Sequence, residues 1–256
     1  MTARILIFDI ERVPMRTKNL AVWDMKGLTY RRLNPGDIER WGRTICLAYR
    51  WLGGGKTEFI AEWQEGGRLG FLEAARDLLD EADIVVGHNS TGFDVPHLEG
   101  EFILENLTPP SPFKQFDTLL TMRKHGNLEA NHLDTLDKRF GFSGKTDKYR
   151  IDVAEAAAAG DEKMQRKIER YNKGDIAATT RVFLRLRPWG NLNVGLFVED
   201  PTDPVCPACG GKRLQRRGYS VKSALRYPRF QCQATGCGRW STSRKAAAGS
   251  VEMRPA

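Results

Sequence analysis

The stretch that most limits the fold is ILIFDIE, residues 5–11. Extended, it sends Ile5, Ile7, Asp9 and Glu11 to one side and Leu6, Phe8 and Ile10 to the other. Its first half is apolar on both sides, which predicts a strand in the interior of a sheet. At its end two acids emerge together, and two carboxylates that close repel unless a cation lies between them or one holds a proton. The pair predicts a divalent-metal site at a strand end. An ordinary strand whose polar end reaches solvent would read the same, so other segments must decide.

A chain of 256 residues has room for one large or two modest domains. No apolar run approaches the roughly 18 residues of a membrane span, and the amino terminus leads into the first strand without a signal-peptide pattern. The net charge of +8 is uneven: residues 204–250 hold ten Lys or Arg and no Asp or Glu, against 29 basic and 31 acidic residues in 1–203. A positive field confined to the carboxyl-terminal fifth predicts a polyanionic partner, nucleic acid ahead of a membrane. Five cysteines, four of them in two close pairs, predict metal ligation in a reducing compartment rather than a disulfide framework. The expected location is the cytoplasm of a bacterial cell, with a phage-encoded origin open.

Residues 44–51 (TICLAYRW) and 57–63 (TEFIAEW) predict strands joined through Gly53-Gly54-Gly55-Lys56 as an antiparallel hairpin, with Cys46 a small core residue. Before them, residues 12–43 are polar and irregular, with Pro14, Pro35, Gly36, Trp23, Tyr30, Arg31 and Arg32, and predict an insertion or a substrate-facing loop. Residues 71–81 predict a helix that packs Phe71, Leu72, Ala75, Leu78, Leu79 and Ala82; 83–87 a short buried strand; 96–106 a helix with Leu98, Phe102 and Ile103 inward; and 114–120 a further strand. A mostly helical region then runs to about Leu186, broken near 141–148. This order makes an α/β mixed sheet with flanking helices. The predicted organisation is a catalytic domain at 1–190, a linker at 191–204 with a strand near 194–198, a small metal-stapled domain at 205–244, and a disordered tail at 245–256.

Two further segments bear on the acids. In IVVGHNSTGFDVPHL, residues 84–98, an apolar strand runs into a flexible turn and puts Asp94 at the start of a helix, as a helix cap or as a third acid of the site. In YNKGDIAATTRVFLRL, residues 171–186, Tyr171 and Asp175 share a helical face, as a buried hydrogen-bonded pair or as part of the same site.

Together FDIE, GHNSTGFD and YNKGD resemble the DEDD 3′–5′ exonucleases of the ribonuclease H-like superfamily, in particular the exonuclease segment of family B DNA polymerases and its free-standing relatives. The resemblance covers about residues 1–186. The YxxxD helix motif is similar to the tyrosine subgroup, and Arg170 stands where the histidine subgroup carries its base. The resemblance implies a ribonuclease H-like sheet and phosphodiester hydrolysis with two Mg²⁺ or Mn²⁺ about 4 Å apart, which clamp the attacking and leaving oxygens. Hard cations take oxygen ligands, so carboxylates suffice. By the same resemblance Asp9 bridges both metals, Glu11 and Asp175 complete one site, and Asp94 serves the other. Tyr171 orients the attacking water rather than acting as a strong base. Asn89 and Phe93 match positions that contact the 3′-terminal nucleotide by hydrogen bonding and stacking. Asp117 and His132 also match family patterns, with a structural role expected for both. Lys145 and Lys148 read as a solvated face or as neighbours of a passing phosphate.

Cys206, Cys209, Cys232 and Cys237 give C-x2-C-x22-C-x4-C, each pair followed by Gly. Four thiolates suit one tetrahedral structural Zn²⁺, and the pattern resembles a zinc ribbon with strands around 212–219 and 227–231. So small a module needs such a staple. Tyr219, Tyr227, Phe230 and Trp240 are interleaved with Arg213, Arg216, Arg217, Arg226, Arg229 and Arg239. That mixture predicts a nucleic-acid clamp with guanidinium forks on phosphates and rings free for stacking, Phe230 excepted as core.

The sequence therefore leads to a metal-dependent 3′–5′ exonuclease of replication, recombination or repair, acting on DNA ahead of RNA, with a replication or recombination protein as a further partner. A structure-selective endonuclease, a ribonuclease and a binding protein with an inactive nuclease core stay open beside it.

Overall fold

The structure is a computed structural model that describes residues 3–18, 21–22, 35–144, 149–197, 204–222 and 225–247. Trp23, Tyr30, Arg31, Arg32, Lys145, Lys148 and the tail from residue 248 lie outside the described residues. The chain divides into two compact units, one of residues 4–123 and 128–182, the other of 1–3, 124–127 and 183–256. The division falls inside the helix that ends at Leu186.

The first unit holds, in chain order, β1 (Ile5–Val13), β2 (Met15–Thr17), β3 (Ala21–Val22), β4 (Ile38–Arg40), β5 (Arg43–Trp51), β6 (Glu58–Ala61), α1 (Gly67–Asp80), β7 (Ile84–Gly87), α2 (Asp94–Leu104), β8 (Lys114–Asp117), α3 (Thr118–His125), α4 (Leu133–Arg139), α5 (Ile151–Ala158) and α6 (Glu162–Leu186). The main sheet has the order β6-β5-β1-β7-β8. β1 runs antiparallel to β5 and parallel to β7, so the apolar strand that opens the sequence lies in the sheet centre. Its Leu6, Phe8 and Ile10 face α1 and α2 in a core with Leu72, Leu79 and Leu98. On another side Val13, Ile45 and Cys46 pack with Ala154 and Ala157 of α5 and Ile168 of α6. This is the expected ribonuclease H-like mixed sheet with flanking helices.

Several local expectations change. The segment after Glu11 is not irregular from its start: β1 continues through a bulge between Glu11 and Arg12, and β2 pairs with both β3 and β4 in a small sheet. Arg16 and Arg40 of that sheet both reach Glu155 of α5. Ile103 points outward at 77% exposure, because α2 turns Leu98 and Phe102 to the core and leaves no room for a third row. The strand expected to reach residue 120 stops at Asp117, whose carboxylate takes the N–H groups of Leu119 and Leu120 and starts α3.

The second unit holds the end of α6 from Phe183, then β9 (Leu214–Lys222), β10 (Leu225–Cys232) and β11 (Trp240–Thr242) in a three-stranded sheet of order β11-β10-β9. The strand expected at 194–198 is a 3₁₀ turn over Val194–Phe197, held by the Val194 N–H on the Pro207 carbonyl. The small core is Cys206, Ala208 and Cys232, with Cys209, Leu214, Ala234 and Cys237 against it. Phe230 is outside that cluster, so cysteines rather than aromatics form the centre of the module.

Candidate active site and cysteine centre

β1 outlasts its parallel neighbour. Its ladder with β7 covers Ile5 to Ile7, and beyond that level Asp9 and Glu11 leave the sheet on one side. α6 supplies the third acid. One carboxylate oxygen each of Asp9, Glu11 and Asp175 lies within 4.8 Å of the others, with Glu11 and Asp175 buried. Asn172, fully buried one turn before Asp175, fixes Asp9: its Nδ2 donates to Asp9 Oδ2 at 2.7 Å and to the Asp9 carbonyl at 3.2 Å. The YNKGD motif carries this residue, yet an Asn between Tyr171 and Asp175 has no helical-face rule to flag it.

Tyr171 donates its hydroxyl to Asp175, and burial, then the charges of Asp175, Glu11 and Asp9, push its ionisation well above the ordinary phenol. It is a hydrogen-bond donor at neutral pH, not a base. Tyr149 lies 6.2 Å from Tyr171, ring to ring, and donates to the Arg12 carbonyl; burial and then Glu11 raise it likewise. The Cys46 thiol, across from Glu11 in the β1–β5 ladder, is held protonated by burial and then by Glu11 and Asp9, which excludes it as a nucleophile.

Asp94 stands outside the three-acid group. It opens α2 but accepts the Ile10 N–H at 3.2 Å, on β1 between Asp9 and Glu11. That bond across the fold goes beyond a helix cap, since the cap position itself is Phe93. Burial pushes the Asp94 carboxyl up to about 7, with Asp117 adding to the rise and the Ile10 N–H opposing it. The α2 helix is tied to β1 a second time. Glu101, buried, accepts Arg12 Nη1 at 2.7 Å, the Thr44 N–H at 2.8 Å, Thr44 Oγ1 at 2.9 Å and Arg68 Nη2 at 3.0 Å. Nothing in the alternation of β1 showed that Arg12 is buried.

A cleft of about 620 Å³ opens on the acids, lined by Asp9, Asp175, His88, Asn89, Arg123 and His132 among others. Asn89 holds a left-handed backbone, φ 69°, as Asp117 gathers the N–H groups of Asn89 and Thr91. Asp117 is thus structural, as expected, whereas His132 is exposed on the cleft wall. Phe93 does not line the cleft. It packs against the α1–α2 core with its ring edge-on to His97 at 4.7 Å. Arg123 is a cleft residue that sequence reading passed over.

The donors fit hard metal ions: the clustered atoms are carboxylate oxygens, with no imidazole or thiol among them. In the second unit, Cys206, Cys209, Cys232 and Cys237 also converge within 4.8 Å, with Sγ–Sγ separations of 3.8 Å (Cys206–Cys237) and 3.7 Å (Cys209–Cys232). Four sulfurs at about 2.3 Å from a tetrahedral Zn²⁺ stand roughly 3.8 Å apart. The backbone fits too. Gly211 has its Cα so near Cys209 Sγ that a Cβ there would come within 3.2 Å, and Gly210 takes φ 72°.

A sheet with one acid-bearing strand at its centre and a third acid on a following helix is a ribonuclease H-like arrangement, here followed by four converging cysteines. The family model of the RNase_H superfamily matches residues 40–187, well over half of the chain, and the chain belongs to that superfamily. The match begins after β1, so Asp9 and Glu11 enter the site on geometry alone. No curated protein matches the sequence. Among solved structures the chain is similar to the family B DNA polymerase from the hyperthermophilic archaeon Pyrobaculum calidifontis, at 15% identity and a TM-score of 0.50. That alignment covers 88% of this chain and 32% of the polymerase, so the chain spans about a third of its length.

Proposed function

We propose that the protein is a 3′–5′ exonuclease of the DEDD tyrosine subgroup that hydrolyses DNA phosphodiesters. The observation that carries this reading is the convergence of Asp9, Glu11 and Asp175 with the Tyr171 hydroxyl bonded to the last of them. Two Mg²⁺ or Mn²⁺, held by these acids with Asp94 serving the second ion, would supply the charge that activates a water and offsets the departing 3′ oxygen. The chain's own groups do the rest. Asn172 holds the Asp9 carboxylate through one of its oxygens and so fixes its orientation. Tyr171, protonated, donates its one hydroxyl hydrogen to Asp175 and leaves its oxygen to accept from a water beside that acid. Asn89 on the cleft wall and the half-buried Phe93, which packs against the α1–α2 core, are the residues that would meet the 3′-terminal nucleotide. The similarity in fold to a family B DNA polymerase supports DNA over RNA and a role in replication, recombination or repair.

The test is a gel assay of the full chain on 5′-labelled single-stranded, duplex, branched and RNA oligomers with Mg²⁺ or Mn²⁺. A ladder that shortens from the 3′ end is expected. It should vanish in Asp9→Ala and Asp175→Ala and weaken less in Tyr171→Phe. Discrete internal cuts at a junction, or normal cleavage by Asp9→Ala, would overturn the reading.

A further inference from the structure

We propose that one face of the β9–β10 hairpin is a phosphate-binding surface for nucleic acid, made of Arg216 and Arg226 with the Tyr219 ring as their shared support. The inference rests on the ribbon alone and does not need the nuclease reading. On a regular strand, Arg216 and Tyr219 would face opposite sides. Here the β9–β10 register slips: Tyr219 pairs with Pro228 and Arg216 with Phe230, so β9 carries one extra residue, and Gly218 turns through φ 69°. A bulge of this kind re-aims a side chain, and it puts Arg216 on the face of Tyr219. Arg226, two residues before Pro228, is the diagonal neighbour on that same face.

The contacts follow. Arg216 donates Nη2 to Tyr219 Oη at 2.6 Å, and its guanidinium carbon lies 5.1 Å from the ring centroid. The guanidinium carbon of Arg226 lies 5.0 Å from the same centroid. Two exposed cations are thus gathered on one ring, in a stretch (204–247) whose sequence has no acid. Like charges brought together repel, and an anion between them relieves the repulsion. A planar fork has five N–H donors, so the Arg216 bond to Tyr219 leaves a guanidinium that can still meet a phosphate.

The ring is taken up by guanidinium contacts, which changes the expectation that Tyr219 stacks on bases. Trp240 likewise carries Arg229, 4.8 Å from its centroid, across the β10–β11 pair. Arg217 and Lys222 are exposed along β9. Charge spread over a whole hairpin matches a polymer of regularly spaced phosphates better than a single carboxylate. Arg239 is different: its Nη1 donates to the carbonyls of Pro188 at 2.6 Å and Gly190 at 2.8 Å, so it anchors the ribbon to the end of α6 and is not part of this surface.

The experiment is fluorescence anisotropy of the full chain with a labelled single-stranded DNA, the matching RNA, and an abasic deoxyribose-phosphate oligomer. Buffer without divalent ions and without chelator prevents cleavage and leaves any zinc in place. The abasic oligomer and the RNA are expected to bind as well as the DNA. Raising salt fourfold should weaken the wild type about sevenfold more than Arg216→Gln/Arg226→Gln, the difference for two lost single-strand phosphate contacts. Tyr219→Leu, which keeps every charge, should weaken binding at each salt concentration with the slope unchanged. Arg216→Lys/Arg226→Lys should keep the slope and lose affinity, a second readout if the glutamine pair loses its zinc. Equal affinity and slope in wild type and the glutamine double variant would overturn the proposal. So would failure of the abasic oligomer to bind, or polyglutamate binding as tightly as DNA.

Discussion

Replacing Glu101 by Ala should be among the most damaging single changes in the sheet domain, although Glu101 touches no acid of the site. Its carboxylate, 5% exposed, accepts from Arg12, Arg68 and both polar groups of Thr44. Removal leaves the Arg12 guanidinium buried without its counter-charge; burial already lowers the Arg12 pKa, and Glu101 is the chief group opposing that shift. Breaking one partner of such a buried pair costs about 3–5 kcal/mol, a large share of the roughly 5–15 kcal/mol that holds a domain together. With a urea slope of about 3 kcal/mol/M, the midpoint should fall by about 1–1.7 M. The control is Glu81→Ala, which breaks the half-exposed Arg4–Glu81 pair and should cost at most about 1 kcal/mol. Tryptophan fluorescence in urea measures both. If the two variants shift alike, the buried network is not what ties α2 to β1.

Asn172→Leu should leave the fold in place but raise the Mn²⁺ concentration needed for half-maximal cleavage by about 10–100-fold, the scale of losing a group that orients a ligand; a Mn²⁺ titration of initial rates checks it. Asp94 has a folded pKa near 7, above its ordinary 3.8, so its contribution to stability is present at low pH and is lost as pH rises through about 7. Without divalent ions, the melting temperature of the wild type should therefore fall relative to Asp94→Asn between about pH 4 and pH 7 and level off above that; parallel melting curves across that range would refute the burial argument. Cys232→Ser should abolish a single bound zinc per chain and make 205–244 protease-sensitive, measured by metal analysis and limited trypsin digestion, while 4–182 stays resistant.

Much of this was legible because the sequence repeats short-range rules. Alternation in residues 5–11 placed Asp9 and Glu11 on one side of a central strand, and the Tyr171–Asp175 spacing placed a third acid beside a donor. Cysteine spacing brought out the second centre in the same way. What stayed hidden depends on contacts between distant segments. Arg12 looked like the start of a loop because its partner Glu101 is 89 residues away. Ile103 looked inward because an apolar letter does not say how wide the buried stripe of α2 is. The edge-on contact of Phe93 with His97 and its packing against the α1–α2 core were not legible either. The bulge at Gly218 could not be read from a strand that alternates poorly, and with it went the pairing of Arg216 with Tyr219.

The choice of an amide at position 172 explains how the acid cluster stays usable. Three carboxylates within 4.8 Å in a buried setting repel strongly, and a lysine at 172 would relieve that by neutralising Asp9. It would also compete with any cation for the same oxygens. Asn172 orients Asp9 through Nδ2 without neutralising it, and the fold tolerates the cost: Asn172 Oδ1 is buried without a hydrogen-bond partner. Arg12, next in sequence to Glu11, is turned away to Glu101 and Thr44 rather than toward the acids. The first arrangement leaves one buried oxygen unpaired, and both leave the negative charge of the acids concentrated. That is the pattern expected when the cluster's function is to bind cations, and it is the reverse of what a purely structural trio of acids would show.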